Sequence, residues 1–202
     1  MESLKAKQRM MPAHIWAREF LLKRVSAADA KFKEEWIRYY TKLPSSVYKV
    51  MTIDPAISPG GDALAAVVTG TDSSDNTYII DRFSHRGSLE NGITKLCDMI
   101  VNHRPNRIGF ENFAFQRMYK VLLQQEMKKR EIYFGIEEVG KDTKRTKAMR
   151  IESLQPKLAQ GKMFFKKEDQ DIVNKLLLWD PISKTNEDDE IDALAWQVGL
   201  WQ

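Results

Sequence analysis

Cysteine is almost missing from this 202-residue sequence: Cys97 is the only one, and it lies in an apolar stretch. A single thiol excludes an internal disulfide and a cysteine-rich zinc site, and it fits a reducing compartment. Long apolar runs are missing too. None approaches the roughly 18 to 20 residues that span a bilayer, and the N-terminus carries charges where a signal peptide needs an apolar core. The chain therefore reads as cytosolic. Neither sign of charge dominates: 32 Lys and Arg stand against 28 Asp and Glu, a net charge of +4. That excess is too small to identify a polyanion-binding protein, so the distribution of charge has to decide the question. His14, His85 and His103 are scattered, and no Ser/His/Asp or Cys/His arrangement offers a protein nucleophile. Internal repeats and low-complexity tracts are also lacking.

What is present describes an ordinary globular chain, since 43% hydrophobic residues leave no apolar deficit of the kind that keeps a chain disordered. The length suits one domain with an N-terminal extension. Residues 1–46 are rich in Lys, Arg, Met and aromatics. The spacing of Phe32, Trp36, Tyr39 and Tyr40 ahead of Pro44 predicts a helical lead-in, with the folded domain over 47–202. Three β-rich runs follow, 47–53, 63–69 and 77–83, separated by Pro/Gly and Asp/Ser/Asn turn clusters that suit an antiparallel meander.

From Ser88, a candidate N-cap, the period changes: Leu89, Ile93, Leu96, Met99 and Ile100 share one helical face, with an end near His103 and Pro105. The pattern then predicts a strand over 107–110, a helix over 113–130 and a strand over 132–136. A helix over 147–160 closed by Gly161 comes next, then a short run over 163–165 and helices over 169–179 and 188–201. This order predicts an α/β fold with a mixed central sheet of about five or more strands flanked by helices. Ribonuclease H-like folds have the same order.

Acidic residues fall at matching places in that order. Asp54 ends the apolar run of VMTIDPAISPGGD, where Pro55 stops the strand; alone, it reads more readily as a turn residue before proline. Glu111 is appended in the same way to the strand of RIGFENFAF, where an acid could also serve the N-terminal dipole of the next helix. In the predicted topology these two strands are neighbours, which puts both carboxylates at one edge. The third element is NEDDEIDALAWQVGLW. Glu187, Asp188, Asp189 and Glu190 could all be dipole partners at a helix start. Asp192 falls inside the helix on a stripe with Ala195 and Gly199, small residues that permit close packing. Asp189 and Asp192 are three apart, and Asp188 and Asp192 four apart, so either pair can converge on one ion. Burying like charges together is costly without cations, and hard oxygen ligands select Mg²⁺ or Mn²⁺.

Positive charge is densest at Lys141, Lys144, Arg145, Lys147 and Arg150, which reads either as a solvated helix face or as a DNA-binding surface. Lys128, Lys129 and Arg130 read as the cationic last turn of a helix. The segment GIEEVGKDT, 135–143, nearly matches a phosphate-binding loop of a nucleotide hydrolase. It fails at Asp142, where a Ser or Thr must reach Mg²⁺, and Glu137 and Glu138 would repel phosphates.

The IDPA strand end with Asp62 eight residues after Asp54, the IGFEN strand end, the basic KAMRIESLQPKLAQGKMFF stretch and the DDEIDALA helix together resemble the nuclease domain of phage terminase large subunits. The resemblance covers nearly the whole chain. It implies a ribonuclease H-like fold in which Asp54, Glu111 and an Asp of the last helix, Asp189 or Asp192, hold divalent metals. Asp62 is then an accessory acid and Asp188 a weaker candidate. Relatives often carry a His before the double Asp; Glu187 stands there in this chain, so no histidine ligand is expected. The implied activity is two-metal, Mg²⁺- or Mn²⁺-dependent endonucleolytic cleavage of double-stranded DNA during genome packaging. The implied partners are DNA, a small terminase subunit, a portal protein and an ATPase motor that these residues do not contain. The implied setting is the cytoplasm of an infected bacterium. The resemblance also favours DNA as the ligand of the basic cluster. Two other readings stay open on the residues: a nuclease of the Holliday-junction resolvase kind, and a non-catalytic DNA-binding or assembly module whose acids only cap helices.

Overall fold

Alternating burial along the strands is what organises the molecule. The computed structural model describes residues 30–55, 64–111, 116–140, 145–183 and 186–201. Its strands are β1 (Arg38–Tyr40), β2 (Tyr48–Asp54), β3 (Leu64–Thr71), β4 (Thr77–His85), β5 (Arg107–Glu111), β6 (Glu137–Val139) and β7 (Met163–Lys166). They form one seven-stranded sheet in the order β1-β7-β4-β3-β2-β5-β6. Strand β3 is antiparallel to both β2 and β4, whereas β5 joins β2, β6 joins β5, β7 joins β4 and β1 joins β7 in parallel. The sheet is therefore mixed, as predicted.

Side chains two apart point to the same face of a strand. Met51 and Ile53 of β2 with Leu64, Ala66 and Val68 of β3 line one face, and Ala65 and Val67 line the other. The first face is covered by α1 (Leu89–His103), through Ile93, Leu96, Cys97 and Ile100, and by Tyr119 and Leu123 of α2 (Gln116–Lys129). Ser88 caps α1 by accepting from the Asn91 amide, and Arg104 ends it in the left-handed region at φ 47°, just before Pro105.

The second face carries α3 (Lys147–Glu152), α4 (Gln155–Ala159), α5 (Gln170–Leu177) and α6 (Asp189–Ala195), which contribute Ile151, Leu158, Ile172, Leu176, Ile191 and Leu194. Two buried layers thus sandwich the sheet. Truncating a fully buried leucine such as Leu96 to alanine would cost about 2–5 kcal/mol.

Three expectations need correction. The described part of the lead-in is not helical beyond a 3-10 turn at Glu34–Trp36, because residues 38–40 form β1. Parallel pairing with β7 overrides the helical spacing there, and the Tyr40 hydroxyl donates to the Ile79 carbonyl at 2.7 Å; residues 1–29 lie outside the described residues. The strand expected over 132–136 lies at 137–139 instead. Ile132, Phe134 and Ile136 pack half-buried on the first layer without joining the ladder. The ladder begins where Arg107 grips Glu137 through Nε at 2.8 Å and a terminal nitrogen at 2.6 Å. The helix expected over 147–160 is two helices, since Pro156 in the first turn of α4 cannot donate to a preceding turn. The last helix likewise tightens after Ala195 into a 3-10 turn at Trp196–Gly199.

Candidate active site

The parallel pair β2–β5 is in register with Ile53 opposite Phe110, so the next residues, Asp54 and Glu111, leave adjacent strands side by side at their C-terminal ends. Their carboxyls share a hydrogen bond, and Glu111 is buried. The Asp54 carboxyl is raised well above its usual range, first by burial, then by hydrogen bonding to Glu111 and by the charges of Glu111 and Asp192, with Lys147 opposing. Glu111 and Asp192 thus both press on Asp54 electrostatically.

Asp192 reaches this edge because α6 lies across β2 and β3. A fully satisfied buried network holds it there. The Thr52 hydroxyl donates to the Ala193 carbonyl at 2.5 Å. Gln197 donates from Nε2 to Thr52 Oγ1 at 3.0 Å and to the Val67 carbonyl at 2.8 Å, and its Oε1 accepts from Thr69 and from Trp201. Gly109 permits the close approach: a Cβ there would stand 2.7 Å from Leu200 and 2.9 Å from Val139.

Cations face the acids from α3. Arg150 forks onto Asp192, Nε to Oδ1 at 2.6 Å and a terminal nitrogen to Oδ2 at 2.8 Å. Lys147 donates to Asp188 Oδ1 at 2.8 Å and stands 3.6 Å from Asp192 Oδ2. Burial works against the charge of both side chains. The Asp188 hydrogen bond and the nearby acids outweigh it at Lys147, and the Asp192 hydrogen bond and charge outweigh it at Arg150, so both bind their protons more tightly than usual. The Arg150 guanidinium also stacks 3.8 Å from the centroid of the Trp196 ring. Gly140, at φ 90°, passes so close that a Cβ would stand 2.9 Å from that ring. Beside Arg150 opens a cavity of about 280 Å³ bordered by Val139, Arg145, Trp196 and Leu200.

The structure therefore brings together Asp54, Glu111, Asp192, Asp188, Lys147 and Arg150. The Asp189 carboxylate lies 3.9 Å from Arg86, and Arg145 is exposed. Asp62, Lys141 and Lys144 lie outside the described residues. Sequence reasoning missed Glu190, which is buried and accepts from Arg82 at 2.5 Å and from Lys175 at 2.8 Å. Helical geometry carried the signal: at 100° per residue Asp188 and Asp192 share a face, and Glu190 lies about 160° from both.

Among the described residues no three His, Cys, Asp or Glu side chains already close on one point as a metal cage would. The donors nevertheless fit a hard divalent cation. Asp54 and Glu111 offer paired oxygens, and the strain on ionised Asp54 comes partly from carboxylates that a cation would neutralise.

The family model for the ribonuclease H-like domain of bacteriophage T7 terminase matches residues 53–163, more than half of the chain. The chain belongs to this terminase family. The matched stretch holds Asp54, Glu111, Lys147 and Arg150 and stops before α6, which carries Asp192. The terminase fold is shared with solved structures. The large terminase nuclease domain of phage P22 is 14% identical at a TM-score of 0.62, over 82% of this chain and 88% of that one. The human cytomegalovirus terminase nuclease domain is 12% identical at 0.58, over 85% and 95%. The large terminase nuclease of thermophilic phage G20c with bound zinc is 12% identical at 0.55, over 82% and 93%. At such identities the likeness is one of fold. No curated protein sequence matches the chain. Family and fold agree on a terminase domain of the ribonuclease H-like type.

Proposed function

We propose that this domain is a divalent-metal-dependent endonuclease that hydrolyses phosphodiester bonds of double-stranded DNA during phage genome packaging. The observation that carries the reading is the pairing of Asp54 with Glu111 at adjacent strand ends, with the charge of Asp192 added to it, which leaves Asp54 hard to ionise without a cation. A large terminase nuclease of the same fold, from phage G20c, was solved with bound zinc, which supports metal binding by such a domain. Asp54, Glu111 and Asp192 would hold the ions, Mg²⁺ or Mn²⁺ and two in number, with Asp188 flanking them. When bound, the ions supply Lewis acidity toward the phosphate and a nucleophilic water at neutral pH.

The chain's own residues do the rest. Asp54 and Glu111 hold their oxygens at fixed positions because each ends a strand within one sheet, and rigid strands position groups better than loops. Lys147 and Arg150 put positive charge next to the acids, where a polyanion would otherwise be repelled; Arg145 extends that charge outward, with Lys141 and Lys144 beside it in sequence. No side chain is required as a nucleophile. By the same reading the domain works in the host cytoplasm with a small terminase subunit, a portal protein and an ATPase motor.

Supercoiled plasmid incubated with the protein in Mn²⁺, Mg²⁺ or EDTA tests the proposal, alongside Asp54→Asn and Glu111→Gln. Nicking and linearisation should need the metal and vanish in both variants. Cutting that persists in EDTA, or in either variant, would sink it.

A further inference from the structure

Asp192 is the one acid of the trio whose two oxygens are both taken. Arg150 engages Oδ1 at 2.6 Å and Oδ2 at 2.8 Å, Lys147 adds a second cation 3.6 Å from Oδ2, and the carboxylate is shut off from water at 3% residue exposure. An ion drawing on Asp192 must therefore loosen a charge-assisted fork and bring its own charge toward a guanidinium. Arg150 in turn cannot simply be left behind. It is mostly buried, and its charge needs an anion. A phosphodiester offers the same two-oxygen geometry as a carboxylate and satisfies the same fork. Room exists for one: Arg150 borders the cavity of about 280 Å³, which Arg145 also lines. Stacking on Trp196 supports the guanidinium plane independently of Asp192.

We infer that Arg150 couples DNA binding to metal binding. Without DNA it neutralises Asp192 and holds down the affinity of the acidic site for divalent ions; a backbone phosphate takes over the fork and releases Asp192 to the ion. Lys147 does the same more weakly through Asp188 and Asp192. Because linkage is reciprocal, the ion strengthens DNA binding by the same factor. Cutting is thereby confined to protein already seated on DNA. The inference rests on the nuclease reading proposed above.

Mn²⁺ affinity measured by isothermal titration, with and without a short hydrolysis-resistant phosphorothioate duplex, tests the coupling in the wild type, Arg150→Gln, Lys147→Gln and Asp54→Asn. The duplex should tighten Mn²⁺ binding about tenfold in the wild type. R150Q should already bind Mn²⁺ about that much more tightly without DNA, with nothing further gained from the duplex, and K147Q should shift by less in the same direction.

Thermal unfolding gives a readout independent of titration: Mn²⁺ should raise the midpoint of R150Q by more than that of the wild type. Should R150Q not fold in EDTA, K147Q decides, since the Lys147 side chain is half-exposed and exposed pairs contribute little to stability. Affinity that is unchanged or weaker in both variants, or a duplex effect that survives undiminished in R150Q, would overturn the coupling. If Mn²⁺ binding is abolished in D54N but indifferent to R150Q and K147Q, the coupling alone fails. If the wild type shows no binding that D54N removes, the nuclease reading fails and the coupling with it.

Discussion

The Thr52 hydroxyl donates to the Ala193 carbonyl at 2.5 Å, and that bond ties the strand carrying Asp54 to the helix carrying Asp192. Thr52 lies two residues before Asp54, and Ala193 one residue after Asp192. The same hydroxyl accepts from Gln197, so it serves two partners at once. Thr52→Val keeps the shape and leaves both partners short of a bond in a dry interior. The expected cost is about 1–3 kcal/mol, read as a lower urea midpoint, together with weaker Mn²⁺ binding as the two acids lose their fixed spacing. An unchanged midpoint would contradict this role.

Gly109 is needed for space. A methyl group there would meet Leu200 at 2.7 Å and Val139 at 2.9 Å, with the Thr52 methyl group at 3.2 Å. Gly109→Ala should destabilise the fold by about 1–3 kcal/mol through overpacking, measured by chemical denaturation.

Glu190 separates fold from function within one helix. Its carboxylate accepts from Arg82 and Lys175; its removal takes a buried partner from both, although Arg82 keeps Asp169 and Asp171. Glu190→Ala should cost about 1–3 kcal/mol of stability yet keep Mn²⁺ affinity in the fraction that folds. Asp192→Asn should lose Mn²⁺ affinity. Denaturation and Mn²⁺ titration run on both variants distinguish the two roles, and a metal site lost equally in both would contradict the assignment.

Acid should remove the contribution of Asp81. A hydrogen bond to His103, at 2.6 Å, holds its carboxyl below the usual range against partial burial, with help from the Arg82 amide. A folded-state value below the unfolded one, about 3.9 for Asp, gives stability that is complete above that value and lost as pH falls through the folded one. The Asp81 side chain is 42% exposed, so solvent screening limits the contribution to under about 1 kcal/mol. Asp81→Asn should be slightly less stable than the wild type at neutral pH, and the gap in urea midpoint should close in strong acid. A gap that widens in acid would contradict the assignment.

Much of this arrangement could be read from the residues. Pro55 and the apolar alternation before it located the end of β2 and therefore Asp54, and the same pattern located Glu111, because strand ends depend on local chemistry. Ser88 marked the start of α1 for a similar reason. Tyr39 and Tyr40 misled, since their helical spacing is local and their pairing with β7 is distant in the chain. Ile132, Phe134 and Ile136 alternate as a strand would, but edge pairing went to the next three residues, where Arg107 could reach Glu137. In the last helix, the four-residue spacing put Asp188 and Asp192 on one face, whereas the opposite face of Glu190 was there to be read and went unread. That Asp192 rather than Asp189 faces Asp54, and that Arg150 lies on it, follows from how α6 and α3 pack, which no spacing encodes.

The most direct test of the site is an anomalous difference map from crystals soaked in Mn²⁺. Density bounded by the carboxylates of Asp54, Glu111 and Asp192, and absent in Asp54→Asn crystals, is the predicted result. Density confined to Asp189 or other acids, or no density at Asp54 and Glu111 in the wild type, would contradict it.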